Sequence, residues 1–235
     1  PKVSICVPVY NGELYIAETL RSALAQDFTD FELVISDNAS TDRTADIVAS
    51  LHDPRIIYSR SPSNVGAVGN FNRCLELARG RYLKILCADV LERDQHQSIA
   101  LVSSTRDIID TASRIRWRAR PNGLAGRHTA ADAIRRSVRS GTNIFGEPLT
   151  ALFRTDQGRQ AGGFNPAYSF CLDLDFWFRL LALGDVYHIR EPLSAFRVSA
   201  TSWSTGLSGK QAKEFRRFVE SYNQSAQLLS PGDLR

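Results

Sequence analysis

Several residues able to do chemistry stand where apolar runs break off. Val3–Val9 runs into Tyr10-Asn11, Phe31–Ile35 into Ser36-Asp37-Asn38-Ala39-Ser40-Thr41-Asp42, and Tyr82–Leu86 into Cys87-Ala88-Asp89. A tyrosine at a strand end can stack on a nucleobase, and a carboxylate can accept from a base N–H, which uracil, thymine and guanine all offer. Taken singly, Asp37 reads as a helix N-cap and Tyr10 as a core ring. On adjacent strand ends the pair favours a nucleotide. Asp89 is an acid at the end of a buried run, costly there unless paired or metal-bound, and a hard divalent cation beside a diphosphate needs carboxylate oxygens. Asp173 and Asp175 precede Phe176-Trp177-Phe178. Acids are favoured at a helix N-terminus, and a carboxylate held against aromatic rings also gains proton affinity and can act as a general base.

Positioning these groups requires alternating strands and helices. Residues 13–26 place Leu14, Ala17, Leu20 and Leu24 at helical spacing after an Asn11-Gly12 turn. Thr44–Ser50 reads as a second helix, Arg55–Ser59 as a short strand, and Val68–Ala78 as a helix closed by Gly80. That order predicts a mostly parallel sheet covered on both faces, in which ligands bind outside the carboxyl ends of the strands. Beyond Asp89 the alternation weakens. The spacing predicts helices over 98–112, 130–140, 174–183 and 209–229, and strands over 148–153 and 186–189.

The chain has 235 residues, 43% apolar and 23% charged, with a formal charge of +4. This is an ordinary globular composition, and the net charge alone does not imply nucleic acid. From Arg114 to Arg139 eight arginines face one acid, Asp132. The segment reads as a solvated helical face or as a surface for an anionic acceptor or membrane. Cys6, Cys74, Cys87 and Cys171 are scattered without metal-binding spacing, and the four histidines are isolated. With no signal peptide and no apolar run of membrane-spanning length, the expected location is cytoplasmic.

The ordered set Val3–Asn11, Ser36–Asp42, Asn64–Asn72, Gly80–Asp89, Pro148–Gly163, Asp173–Arg179 and Pro192–Arg197 resembles family 2 glycosyltransferases with the GT-A fold. The resemblance implies a Rossmann-like central sheet with helices on both faces and a smaller acceptor-side part. It divides the chain into a nucleotide-sugar half (1–92), an acceptor-binding and catalytic half (93–204) and a helical tail (205–235). It implies an inverting transferase that uses a UDP-, dTDP- or GDP-linked sugar with Mg²⁺ or Mn²⁺. By position, Pro8, Tyr10 and Asp37 would line the base pocket, with Asn11 and Gly66 bordering the nucleotide. Asp89 would hold metal and phosphate, Arg197 would lie near the diphosphate, and Asp173 would deprotonate the acceptor hydroxyl, with Asp175 as the alternative. Two departures stand out: Asp89 is flanked by Ala88 and Val90, and Leu172 replaces the glutamate of the family's Glu-Asp pair.

The expected partners are a nucleoside-diphosphate sugar and a glycan or lipid-linked acceptor in envelope synthesis, with peripheral contact at the inner face of the membrane and no nucleic acid. The competing reading is a catalytically degenerate nucleotide-sugar-binding protein. A dinucleotide-dependent oxidoreductase is disfavoured because the first strand runs into Pro-Val-Tyr-Asn-Gly-Glu and not a Gly-x-Gly-x-x-Gly turn.

Overall fold

A computed structural model describes residues 1–86, 98–119, 124–198, 211–230 and 232–233. In chain order the elements are β1 (Val3–Val9), α1 (Ile16–Leu24), β2 (Phe31–Asp37), α2 (Thr44–Ala49), β3 (Ile56–Arg60), α3 (Gly66–Leu77), β4 (Tyr82–Ile85), β5 (Ile99–Ile109), β6 (Ile115–Ala119), β7 (Gly126–His128), α4 (Ala130–Ser140), a 3₁₀ turn (Pro148–Thr150), β8 (Ala151–Arg154), α5 (Thr155–Gln160), α6 (Leu172–Leu181), β9 (Asp185–Arg197) and α7 (Gln211–Ala226). They form two units: 1–95 with 152–163, and 96–151 with 164–235.

In the first unit β1 pairs in parallel with β2 and β4, and β2 in parallel with β3, while β4 pairs antiparallel with β8. Strand alternation sorts the side chains. Val3, Ile5, Val7 and Val9 join Leu33, Ile35, Ile16, Leu20 and Val48 in one buried cluster beneath α1 and α2. The intervening residues meet α3 on the opposite face, where the Cys6 thiol donates to the Cys74 carbonyl and the Ser36 hydroxyl to Asn70 Oδ1. Every residue of β2 is buried, as expected of a central parallel strand covered on both sides. The register aligns Val9 with Asp37 and Asp37 with Arg60. The carboxyl ends of three strands therefore finish level, and that alignment builds a rim.

In the second unit β5 pairs antiparallel with β6 and parallel with β9, and β9 antiparallel with β7. The helix expected over 98–112 is corrected here to the long strand β5. Val102, Thr105, Ile108 and Ile109 suit a pleated surface better than a helix, and partner strands satisfy its backbone. The Ser103 hydroxyl lies 2.9 Å from Nδ1 of His188 on β9, whose pKa burial lowers to about 4. The run 148–153 is a 3₁₀ turn followed by a strand.

The aromatic core of this unit gathers Phe145, Phe164, Phe176, Trp177, Phe178 and Phe218, all fully buried. Helix α7 adds Phe218 and Tyr222 against Phe178, with ring centroids 5.1 and 4.8 Å away. Its Glu214 carboxylate accepts the backbone N–H groups of Ser169, Phe170 and Cys171. The apolar face of α7 is thus spent inside the protein.

The arginine-rich segment is not one helical face. Arg114, Arg116 and Arg118 lie at or in β6, Arg127 in β7, and Arg135, Arg136 and Arg139 on α4. Each has a carboxylate within 4 Å, on Asp110, Asp107, Asp185, Asp132 or Asp233. Arg120 lies outside the described residues. Among the described residues no helix is long and apolar enough to cross a membrane.

Candidate functional site

The candidate region of the first unit is the rim formed by the ends of β1, β2 and β3. Asp37 closes β2 and is fully buried. Its Oδ1 accepts the Ser40 N–H at 2.9 Å, and its Oδ2 accepts the Tyr58 hydroxyl at 2.5 Å. Arg60 Nε lies 4.0 Å from the same Oδ2 and its NH2 donates to the Ser40 carbonyl. Burial first, then the bond to Asp37, pushes the Tyr58 pKa up to about 12.

Asn11 and Ala39 carry positive φ angles of 51° and 62°. Such backbone persists only when its surroundings hold it, and here the two loops hold each other. The Asn11 N–H donates to the Ser40 hydroxyl, and the Thr41 N–H to Asn11 Oδ1. Asn38 ties in the third loop: its amide donates to Asn64 Oδ1 and the Gly66 carbonyl, and its Oδ1 accepts the Val65 N–H.

Of the residues expected around a nucleotide, Asn11, Asp37 and Gly66 stand in this bonded set of loops. Pro8, level with Ser36, sits just below it on β1. The Tyr10 ring is 51% exposed at the rim, available for stacking and not a core ring. Gly66 has φ +76° and open space where a side chain would project, so backbone there is accessible to a ligand. Asp89 lies outside the described residues. Among the described residues no group of three or more His, Cys, Asp or Glu side chains could hold a metal ion.

The second unit has a candidate region of its own around the first turn of α6. Asp173 is partly buried; its Oδ1 accepts the Leu174 N–H at 2.8 Å and its Oδ2 the Asn143 amide at 3.0 Å. Burial first, then the charge of Glu147, raises the Asp173 pKa to about 7, against the pull of those hydrogen bonds. Asn143 also donates to the Gly146 carbonyl and accepts the N–H groups of Phe145 and Gly146. That carbonyl takes the Trp177 indole N–H as well. Glu147 is held by the Arg106 guanidinium, with NH2 2.7 Å from Oε1.

Asp175, two residues on, is buried and faces elsewhere, in an ion pair with Arg179 on the next turn. Arg197 ends β9, donating to the Asp110 carbonyl at 2.8 Å and to the Ser113 hydroxyl at 3.0 Å. The structure thus separates the two acids at the start of α6: Asp173 has proton affinity near neutrality, and Asp175 is neutralised by a cation.

Four participants escaped sequence reasoning. Tyr58 was hidden in an apolar run. Asn143, Glu147 and Arg106 lie in or opposite a connection with no periodicity, and only the fold brings them to Asp173.

Residues 4–98 match the family model described as Glycosyl transferase family 2. Among curated relatives, the uncharacterized protein MT1568 of Mycobacterium tuberculosis is 29% identical over 87% of this chain and 70% of its own. The Escherichia coli UDP-Glc:alpha-D-GlcNAc-diphosphoundecaprenol beta-1,3-glucosyltransferase WfaP is 40% identical, over 37% of this chain and 35% of its own. Among solved structures, S. aureus TarS 1–349 in complex with UDP-GlcNAc superposes with a TM-score of 0.76 at 20% identity, over 99% of this chain and 69% of that one. Residues 4–98 are thus similar to glycosyl transferase family 2, and the chain shares the GT-A architecture of that solved structure.

Proposed function

We propose that the protein moves a sugar, with inversion, from a nucleoside-diphosphate sugar to a hydroxyl of a glycan or lipid-linked acceptor in envelope synthesis. The observation that carries this reading is Asp173, whose pKa of about 7 suits a general base at neutral pH. In the transfer its carboxylate takes the proton of the acceptor hydroxyl. The oxygen forms the new bond to the anomeric carbon as the bond to the diphosphate oxygen breaks, and the electron pair leaves with the nucleoside diphosphate. Attack comes from the face opposite the leaving group, which inverts the centre.

Tyr10 stacks on the base, Asp37 accepts its N–H, and the loop at Gly66 borders the sugar-phosphate with Pro8 and Asn11. Arg197 is assigned to the diphosphate by position in the family pattern. A divalent cation, Mg²⁺ or Mn²⁺, would neutralise diphosphate charge when bound, with Asp89 as the residue put forward to hold it; no step above depends on it. WfaP, by name, takes UDP-Glc and a diphosphoundecaprenol-linked acceptor, and TarS binds UDP-GlcNAc. These names support a UDP-sugar donor and a lipid-linked acceptor. The chain matches about a third of WfaP's length, so its donor and acceptor are proposals here.

The second reading, a nucleotide-sugar-binding protein without transfer, is favoured by Asp89 standing alone between Ala88 and Val90. Thermal shift against UDP, GDP and dTDP, each with and without Mn²⁺, tests the donor side. Stabilisation by one nucleotide is expected, increased by metal. Failure of every nucleotide to shift the melting temperature would contradict both readings.

A further inference from the structure

We propose that Tyr58 is a positioning residue for base recognition: its hydroxyl sets the Asp37 carboxylate so that bases offering an N–H are preferred. The inference rests on the nucleotide reading above and concerns a residue that reading does not use.

Asp37 ends β2 and stands opposite Arg60, two residues beyond Tyr58 on β3. Two donors reach its carboxylate from different directions, the Ser40 N–H on Oδ1 and the Tyr58 hydroxyl on Oδ2. A carboxylate that accepts from two fixed donors has its plane defined, and each oxygen keeps a further lone pair. The Ser40 donor belongs to the loop that carries Ala39 in its strained conformation. The Tyr58 donor comes from a β-strand, the stiffer support of the two.

Tyr58 cannot reverse its role near neutrality, because its hydroxyl keeps its proton up to about pH 12. Arg60, 4.0 Å away, adds positive charge without a direct hydrogen bond. With both donors fixed beneath the rim, a base that reaches this carboxylate meets acceptor lone pairs. Uracil N3–H and guanine N1–H are matched to such a group. Cytosine, with a bare N3, sets lone pair against lone pair. Rejection of a mismatched hydrogen-bonding edge is large when the protein group cannot adapt.

A plain structural role predicts something else. Tyr58 also lines a mixed cavity with Val48, Leu51, His52 and Ile56, and it could serve only to pack β3 against α2. Tyr58→Phe keeps the ring and removes the hydroxyl, which separates the two roles.

The test is calorimetric titration of the full chain with UDP, GDP and CDP, using wild type, Tyr58→Phe, Asp37→Asn and the double variant. Wild type is expected to bind the better of UDP and GDP well above CDP. Tyr58→Phe is expected to lose about tenfold of that preference, the size of one hydrogen bond to a charged group, with CDP affinity held within about twofold. In the Asp37→Asn background the same change is expected to have no further effect, since both act through one carboxylate. An unchanged preference in Tyr58→Phe, with only a lower melting temperature, overturns the inference and leaves the nucleotide reading standing. Equal binding of all three nucleotides by wild type, or binding of none, overturns the base pocket itself.

Discussion

The amide of Asn143 donates to Asp173 Oδ2 at 3.0 Å and to the Gly146 carbonyl at 2.9 Å. One side chain thus joins the acid at the start of α6 to the loop that carries Glu147. The geometry of the acid and the charge beside it are set together.

Asn143→Ala removes that link. Loss of a hydrogen bond to a carboxylate costs about 1.5–3 kcal/mol, so kcat should fall about tenfold or more and stability by about 1–2 kcal/mol. Nucleotide affinity should stay within about twofold of wild type. Steady-state kinetics with chemical denaturation checks this, and an unchanged kcat would free Asp173 from dependence on Asn143.

Glu147→Gln bears on proton affinity. The Glu147 charge raises the Asp173 pKa, so its removal lowers that pKa toward the ordinary carboxylate value. The midpoint at which activity appears with rising pH should move below about 7. A pH–rate profile of the variant checks the direction; a midpoint moved upward would contradict the assignment.

Asp173 also makes stability depend on pH. Its folded pKa of about 7 lies above the ordinary 3.8. Between these values the folded chain holds a proton that the unfolded chain has released, so its contribution falls as pH rises through this window and levels off above it. Asp173→Asn keeps an acceptor for Asn143 and removes the charge. The variant should melt higher than wild type at pH 8 and show no gain near pH 3.5, by calorimetry at the two pH values. Equal differences at both would mean that the charge is not the cause.

Gly80→Ala tests the packing behind the first unit. A Cβ there would stand 2.5 Å from the Ser4 backbone nitrogen and 2.6 Å from the Val3 carbonyl carbon. Backbone cannot retreat cheaply, so a loss of about 3 kcal/mol or more is expected. Urea denaturation measures it, and a loss below about 1 kcal/mol would mean that β1 yields easily.

The legible and illegible parts of this protein divide along physical lines. β1, β2 and β4 read as unbroken apolar runs because buried parallel strands do, and the polar residues that stop β1 and β2 mark the rim. β5 was misread because Ser103, Ser104 and Thr105 interrupt its apolar residues. The burial of Ser103 is offset by His188, which lies far away in the chain. The acid at 173 was legible from its place before Phe176-Trp177-Phe178. Its separation from Asp175 was not, since Arg179 neutralises one and Glu147 raises the other only after folding. Tyr58 looked like another apolar residue of β3, and nothing local reveals a hydroxyl aimed at Asp37.

The most direct test of the central claim is the pH dependence of transfer from a labelled UDP-sugar to a polyprenyl-diphosphate-linked GlcNAc acceptor, in wild type and Asp173→Asn. Wild-type turnover should rise with pH through a midpoint near 7, where Asp173 loses its proton. Asp173→Asn should lose about 10²–10⁴-fold in kcat, the worth of a general base, while binding UDP within about twofold of wild type. Wild-type-like turnover in Asp173→Asn would contradict the account, because the acceptor proton would then leave by another route.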